Sequence, residues 1–521
     1  MEIVLMHQNT RREFMSNIGR GMLLAGLGST LAADLGLASA AAGEIESTLN
    51  FGALEPLVAL MRETPPERLN AILIEKLKSG ASLKSLVAAG ALANARTFGG
   101  QDYIGFHTFM ALAPAWHMAR SLPIAEQPLP VLKVLYRNAN RIQEFGGRAS
   151  EVLHPLTADP IPAGAHAGEY LQTASRSGDV EHADRVFASL ASGPVGEAFN
   201  HLQFAVEDEV DVHRVVLAWR AWDTMELAGE EWGHCLLRQS IRYCTKVEHD
   251  MNVRGHQHSP IREVLPRLLD DYKLLEKPRG QNLGDDAWAL ALANTIFQGA
   301  REEAAQATAN ALAEGFAPES IGEAISLAAN MLALHDPGRP EQWANADKPA
   351  GSCHGDSVGV HASDAANAWR NIVRVSDARN ATASLIVGAF HTAGQSERSN
   401  AEPFPFAEQL EKVKADQPEA LLAEAEACIL AKDQDQTAAA VARYGQLGHA
   451  PGPVFDLMRK FATSEDGALH AEKYFRTAGA EFDATRPAYR WGQLVALARV
   501  TASEYGHPAP GFEEAKALLK V

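Results

Sequence analysis

The chain has 521 residues, 46% of them hydrophobic and 21% charged, enough for a large buried core and for two or three domains. Its formal charge of −18 comes with no basic stripe, which excludes the electrostatic footprint of a nucleic-acid binder. Four cysteines, none in a C-x-x-C pair, exclude a disulfide framework.

The first predicted element is a leader. Thr10-Arg11-Arg12-Glu13-Phe14-Met15, followed by an apolar run from Met22 to about Ala33, resembles a twin-arginine (Tat) export signal. Met15 stands where that motif prefers Leu, and Ser16 where it often has Lys. The apolar run is too short for a stable bilayer span, which needs about 20 residues. Ala38-Ser39-Ala40 and Ala40-Ala41-Ala42 both offer A-x-A cleavage sites, so residues 1–43 are assigned to the signal. The resemblance implies Tat export machinery as a partner and a periplasmic or otherwise exported protein that folds before crossing. No second long apolar run follows, so the mature chain is expected to have no membrane span.

The body is predicted to be all-α. Apolar residues recur at three and four, as in Leu69-Ala71-Ile72-Ile74-Leu77 and Val215-Val216-Trp219-Trp222-Leu227, while strand-like alternation is scarce. Residues 44–400 read as an internally duplicated helical core. Gly80-Ala81-Ser82-Leu83 leads to Leu92-Ala93-Asn94-Ala95, and Gly315-Phe316-Ala317-Pro318 leads to Leu327-Ala328-Ala329-Asn330, at one shared offset. A Gly-x-His start follows each: Gly105-Phe106-His107 and Gly359-Val360-His361. The second copy carries an inserted loop at about 336–358. Residues 401–521 form a helical C-terminal section.

His107, His213 and His361 each precede a Trp by eight or nine residues near a predicted helix start. That spacing places each Trp on the core face and its His elsewhere, so repeat-related histidines can converge on one centre. His391 joins them because Phe390-His391-Thr392 repeats Phe106-His107-Thr108. His107, His361 and His391 are therefore the candidate catalytic set, ligating a metal or haem or exchanging protons. The inserted loop and its rims concentrate His335, Cys353, His354, Asp356 and His361, a donor set suited to iron, copper or zinc. Glu151/His154 and Glu231/His234 have the Glu-x-x-His spacing of di-iron bundles, without clear bridging glutamates. In the tail, Asp466 is the expected N-cap of a helix carrying His470, which reads as an exposed helix start. No nucleophile elbow, H-E-x-x-H, phosphate loop or dinucleotide fingerprint occurs.

The run from Gly80 to Trp116 is similar in texture to carboxymuconolactone-decarboxylase and AhpD-like helical repeats, whose peroxidase members rely on a C-x-x-C absent here. Phe199-Asn200-His201-Leu202-Gln203-Phe204-Ala205-Val206-Glu207 and the Phe-His-Thr starts loosely resemble questin-oxidase-like proteins. That likeness implies an oxygenase-type oxidoreductase on a helical fold and a small-molecule substrate; neither likeness transfers a catalytic residue. Two functions follow from the sequence: a metal- or haem-dependent oxidoreductase, or a non-catalytic helical-repeat binding protein whose histidines only satisfy core hydrogen bonds.

Overall fold

A computed structural model describes residues 48–521 except 468–469. The expected signal at 1–43, with Arg11 and Arg12, lies outside the described residues. The described residues are 71% helical, in 23 α-helices with no strand, so the fold is all-α. None of these helices is long and apolar enough to cross a membrane.

Two triplets of consecutive helices frame the core. The first comprises α1 (Leu83–Phe98), α2 (Tyr103–Ala119) and α3 (Pro128–Phe145), all mutually packed. Between the triplets run α4 (Val212–Ala228) and α5 (Gly233–Arg254). The second triplet comprises α6 (Pro318–Leu334), α7 (Val358–Val375) and α8 (Ala378–Thr392), again mutually packed. The C-terminal section contributes α9 (Ala471–Ala484) and α10 (Trp491–Glu504).

The Gly-x-His starts have a packing reason. A Cβ on Gly105 would stand 2.6 Å from the Phe98 ring, and one on Gly359 would stand 2.3 Å from Ala333 Cα. In both triplets the middle helix therefore begins pressed against the end of the preceding helix. Two residues later the histidine leaves on another face. Asp102 caps α2 by accepting from Gly105 N at 2.7 Å, whereas Ser357 stands at the N-cap position of α7 without a side-chain capping bond.

Helices α2, α4, α7 and α9 pack as a closed four-membered cycle, α2 on α4, α4 on α7, α7 on α9 and α9 on α2. The section after residue 401 thus completes the centre of the molecule. Its Phe461, Tyr474 and Leu497 share one buried cluster with Met118, Ala333, Cys353 and Val360. A polar ladder sets the register of α9 on α7: Thr477 Oγ1 donates to Asp364 at 2.7 Å, and Asn367 and Arg370 both donate to Glu481 at 2.7 Å. At the start of α9, fully buried Lys133 of α3 pairs with fully buried Glu472 at 2.5 Å. The same ammonium donates to the carbonyls of Ala462 and Glu465.

The inserted loop is tied down. Cys353 N donates to Gln434 and Ser503, and Gly355 N donates to Glu504 at 2.7 Å. Its last residues lead directly into α7.

Candidate functional site

Each helix of the central cycle delivers one histidine from its N-terminal end. His107 is in the second turn of α2, His213 in the first turn of α4, His361 in the first turn of α7, and His470 is the N-cap of α9. Their imidazoles form a closed ring. Centroid separations are 4.9 Å for His107–His213, 5.8 Å for His213–His361, 5.6 Å for His361–His470 and 5.3 Å for His470–His107. Tyr103, Phe106 and Tyr243 wall one side, with Phe106 stacked on His107 at 4.9 Å.

Two of the rings are oriented through their Nδ1. His107 Nδ1 donates to the Tyr103 carbonyl at 2.7 Å. His213 Nδ1 lies 3.2 Å from Asp211, whose other oxygen accepts from Tyr243 Oη at 2.6 Å. Asp211 is also the N-cap of α4, so one carboxylate starts the helix and aims the histidine. Burial raises the Asp211 carboxyl, but the bonds from His213 and Tyr243 outweigh it and hold the group well below the usual carboxylate range. The Nε2 atoms of His107, His213 and His361 are buried with no hydrogen-bond partner. A buried, unpaired imidazole nitrogen costs free energy unless something occupies it.

Three of the four imidazoles are held neutral. Burial, and then the neighbouring Lys473, push His107 down to about 2. Burial and His213 take His361 to about 4, and burial with Lys473 carries His470 well below its ordinary value. Lys473 follows His470 by one turn of α9, is 3% exposed and is itself lowered by burial to about 8, with Asp364 opposing the shift. Neutral imidazoles present lone pairs, which is the form a metal ion binds. Imidazoles bound at about 2.1 Å have ring centres about 4.5–5.2 Å apart at right-angled to tetrahedral geometry. The observed ring is slightly wider. Among the described residues no group of three His, Cys, Asp or Glu side chains could hold a metal ion as placed, so binding requires the imidazoles to move together.

A cavity of about 300 Å³ lies outside the ring under the inserted loop, lined by Asp336, Arg339, Trp343, Asp356, Ser357 and Val358 among others. Ser357 and Val358 are one helical turn before His361.

The candidate residues read from the sequence divide sharply. His107 and His361 stand in the ring with His213. His391 does not join it. It is buried on α8 and accepts from Trp369 Nε1 at 3.3 Å, and burial lowers it to about 4. The loop donors do not assemble either. His335 Nδ1 bonds the Asn400 carbonyl, Asp356 pairs with Arg339 and Lys348, and Cys353 Sγ donates to Asp336. Burial pushes the Cys353 thiol up to about 12 and His354 down to about 4. Of that group only His361 reaches the ring. The di-iron spacing is not realised: Glu151 is in an extended segment paired with Arg62 and Arg96, and Glu231 is exposed in a short 3-10 turn.

His470 is the ligand-type residue that sequence reasoning passed over. It, not Asp466, is the N-cap of the helix, and it is buried. No local signal marked it, because Glu472, Lys473 and Arg476 give its surroundings the charge pattern of a solvated helix start.

No family model, no curated protein and no solved structure matches this chain. The site is therefore read from its own geometry.

Proposed function

We propose that the protein is a non-haem, metal-dependent oxidoreductase whose metal is held by His107, His213, His361 and His470. One observation carries this reading: four helices close a cycle in which four imidazoles meet, those of His107, His361 and His470 held neutral by burial, and three of the four with buried and unpartnered Nε2 atoms. His391, outside the ring, accepts from Trp369, whereas His234 and His354 each leave one buried Nε2 unpartnered without a second imidazole beside it among the described residues, so the convergence of the rings distinguishes the site. Four nitrogen donors without a carboxylate suit iron, copper or zinc. Four imidazoles about one point take the positions a porphyrin's nitrogens would need, which favours a single ion over haem. The loose likeness to questin-oxidase-like proteins points toward an oxygenase-type reaction.

In this reading a redox metal supplies the electron transfer and the chain supplies the rest. Asp211 fixes the His213 tautomer and strengthens its Nε2 as a donor. Lys473, brought to about 8 by burial, holds or releases a proton beside the ring near neutral pH. A small-molecule substrate enters through the cavity by Trp343 and Val358. The leader fits the same picture, because export of an already folded chain allows metal to be loaded before crossing.

The test is metal analysis with absorption and electron paramagnetic resonance spectra of protein purified from its native host, repeated after anaerobic loading with Fe(II) or Cu(I). About one redox metal per chain, removed by chelator and absent in His361→Ala, is expected. No stoichiometric metal under either condition overturns the site; zinc alone overturns the redox assignment.

A further inference from the structure

A second cavity, of about 280 Å³, lies at the far end of α2, where that helix meets α9 and the helix Gly452–Ser464. His117, Ser121, Arg459, Arg476 and Asp483 line its polar side, and Phe455 and Phe475 its apolar side. The two rings meet edge to face at 6.2 Å. His117 is ten residues beyond His107 on α2, about 15 Å along the helix axis, so this is a separate place from the histidine ring.

The cations here outnumber their partners. His117 Nε2 and Arg220 both use Asp223, at 3.1 and 3.0 Å. Arg459 pairs with Asp456 at 2.5 Å and donates to Ser121 Oγ at 3.2 Å. Arg476 forms no ion pair among the described residues. It is half-buried, with Arg220 and Arg120 near it, and burial followed by Arg220 lowers it. Asp223 and Asp483 offset that field without reaching ion-pair distance. A half-buried guanidinium with no ion pair, crowded by other guanidiniums, gains from an arriving anion, and its planar fork matches the two oxygens of a carboxylate or phosphate.

We infer that this cavity is a binding site for a small organic oxyanion, a carboxylate or phosphate monoester. Arg476 and Arg459 hold its charged group, His117 and Ser121 complete the polar contacts, and an apolar body rests on Phe455 and Phe475. Its volume is at the low end for ligand pockets, so the ligand is a small metabolite rather than a cofactor-sized molecule. No observation in the histidine ring enters this inference.

Calorimetric titration of the full chain with phenyl phosphate, benzoate and phenol, at constant ionic strength, tests it. Saturable binding of phenyl phosphate or benzoate, whichever is tighter naming the headgroup, and none of phenol, is expected. Arg476→Gln should weaken the anion about tenfold or more while leaving the unliganded melting temperature unchanged or higher, because like-charge crowding is relieved. Phe455→Ala should weaken phenyl phosphate but not inorganic phosphate. Equal binding of phenol, an undiminished affinity in Arg476→Gln, or no saturable binding of either anion would overturn the inference.

Discussion

The histidine ring and the inserted loop are built from the same donor types and behave oppositely. In the ring, nitrogens converge from four helices and three of them end on no partner. In the loop, Asp356 is neutralised by Arg339 and Lys348, Cys353 is bonded to Asp336, and His335 caps a carbonyl, leaving the His354 Nε2 unpartnered and alone. Both regions are buried in part, and both lie against α7. The difference shows that donor density is a poor guide to a site. Unsatisfied donors that meet from several rigid helices are a better one, because each unpaired nitrogen costs free energy and one ligand can relieve several at once.

Breaking the ring should give the largest effect. His361→Ala is expected to reduce metal retention about a thousandfold, read by equilibrium dialysis, since each ligand carries a large share of binding free energy. His391→Ala should leave occupancy unchanged; loss of metal there would place His391 in the site after all. Next comes the anchor of the fourth histidine. Lys133→Met leaves Glu472 buried and unpaired at the start of α9, and should destabilise the fold by about 3–5 kcal/mol in denaturant unfolding. A cost below about 1 kcal/mol would mean that the pair does not anchor α9.

Smaller effects sharpen the contrast. Asp211→Asn keeps the shape of the cap but loses the charge behind His213, and metal affinity should fall about 10–100-fold with all four ligands present. The pH response follows from neutral burial. His361 has a folded value of about 4 against 6.5 when unfolded, so below 6.5 the unfolded chain takes up a proton that the folded chain refuses. Stability of the metal-free protein should therefore fall as pH drops from 6.5 toward 4. His361→Gln should flatten that slope, and an unchanged slope would mean the ring does not resist protonation. Lys473 acts at the other end: between about 8 and 10.5 it is neutral when folded and charged when unfolded, so stability rises with pH there. Least affected should be Cys353→Ser, with metal content unaltered and, in the parent, a thiol unreactive toward disulfide reagents at pH 8 until unfolding.

Much of the scaffold was legible from periodicity and caps. The helical faces, the Gly-x-His starts of α2 and α7, and the grouping of His107, His213 and His361 by their distance to a Trp could all be read along the chain. His391 misled because a local Phe-His-Thr match reports helix phase, not direction. On α8 that phase aims the ring at Trp369. His470 was missed for the opposite reason: it has no local signature, and its burial comes from α9 docking against α2 and α7.

Composition and the 3.6-residue period therefore determined the all-α class and several helix starts by themselves, because propensity, capping and amphipathicity act over a few residues. Only the tertiary structure decided that four histidines from residues 107 to 470 share one centre while most donors of the denser loop find partners of their own. That outcome depends on how four helices close a cycle. Closure is set by contacts such as Thr477–Asp364 and Arg370–Glu481, whose members are distant in sequence and carry no local mark of each other.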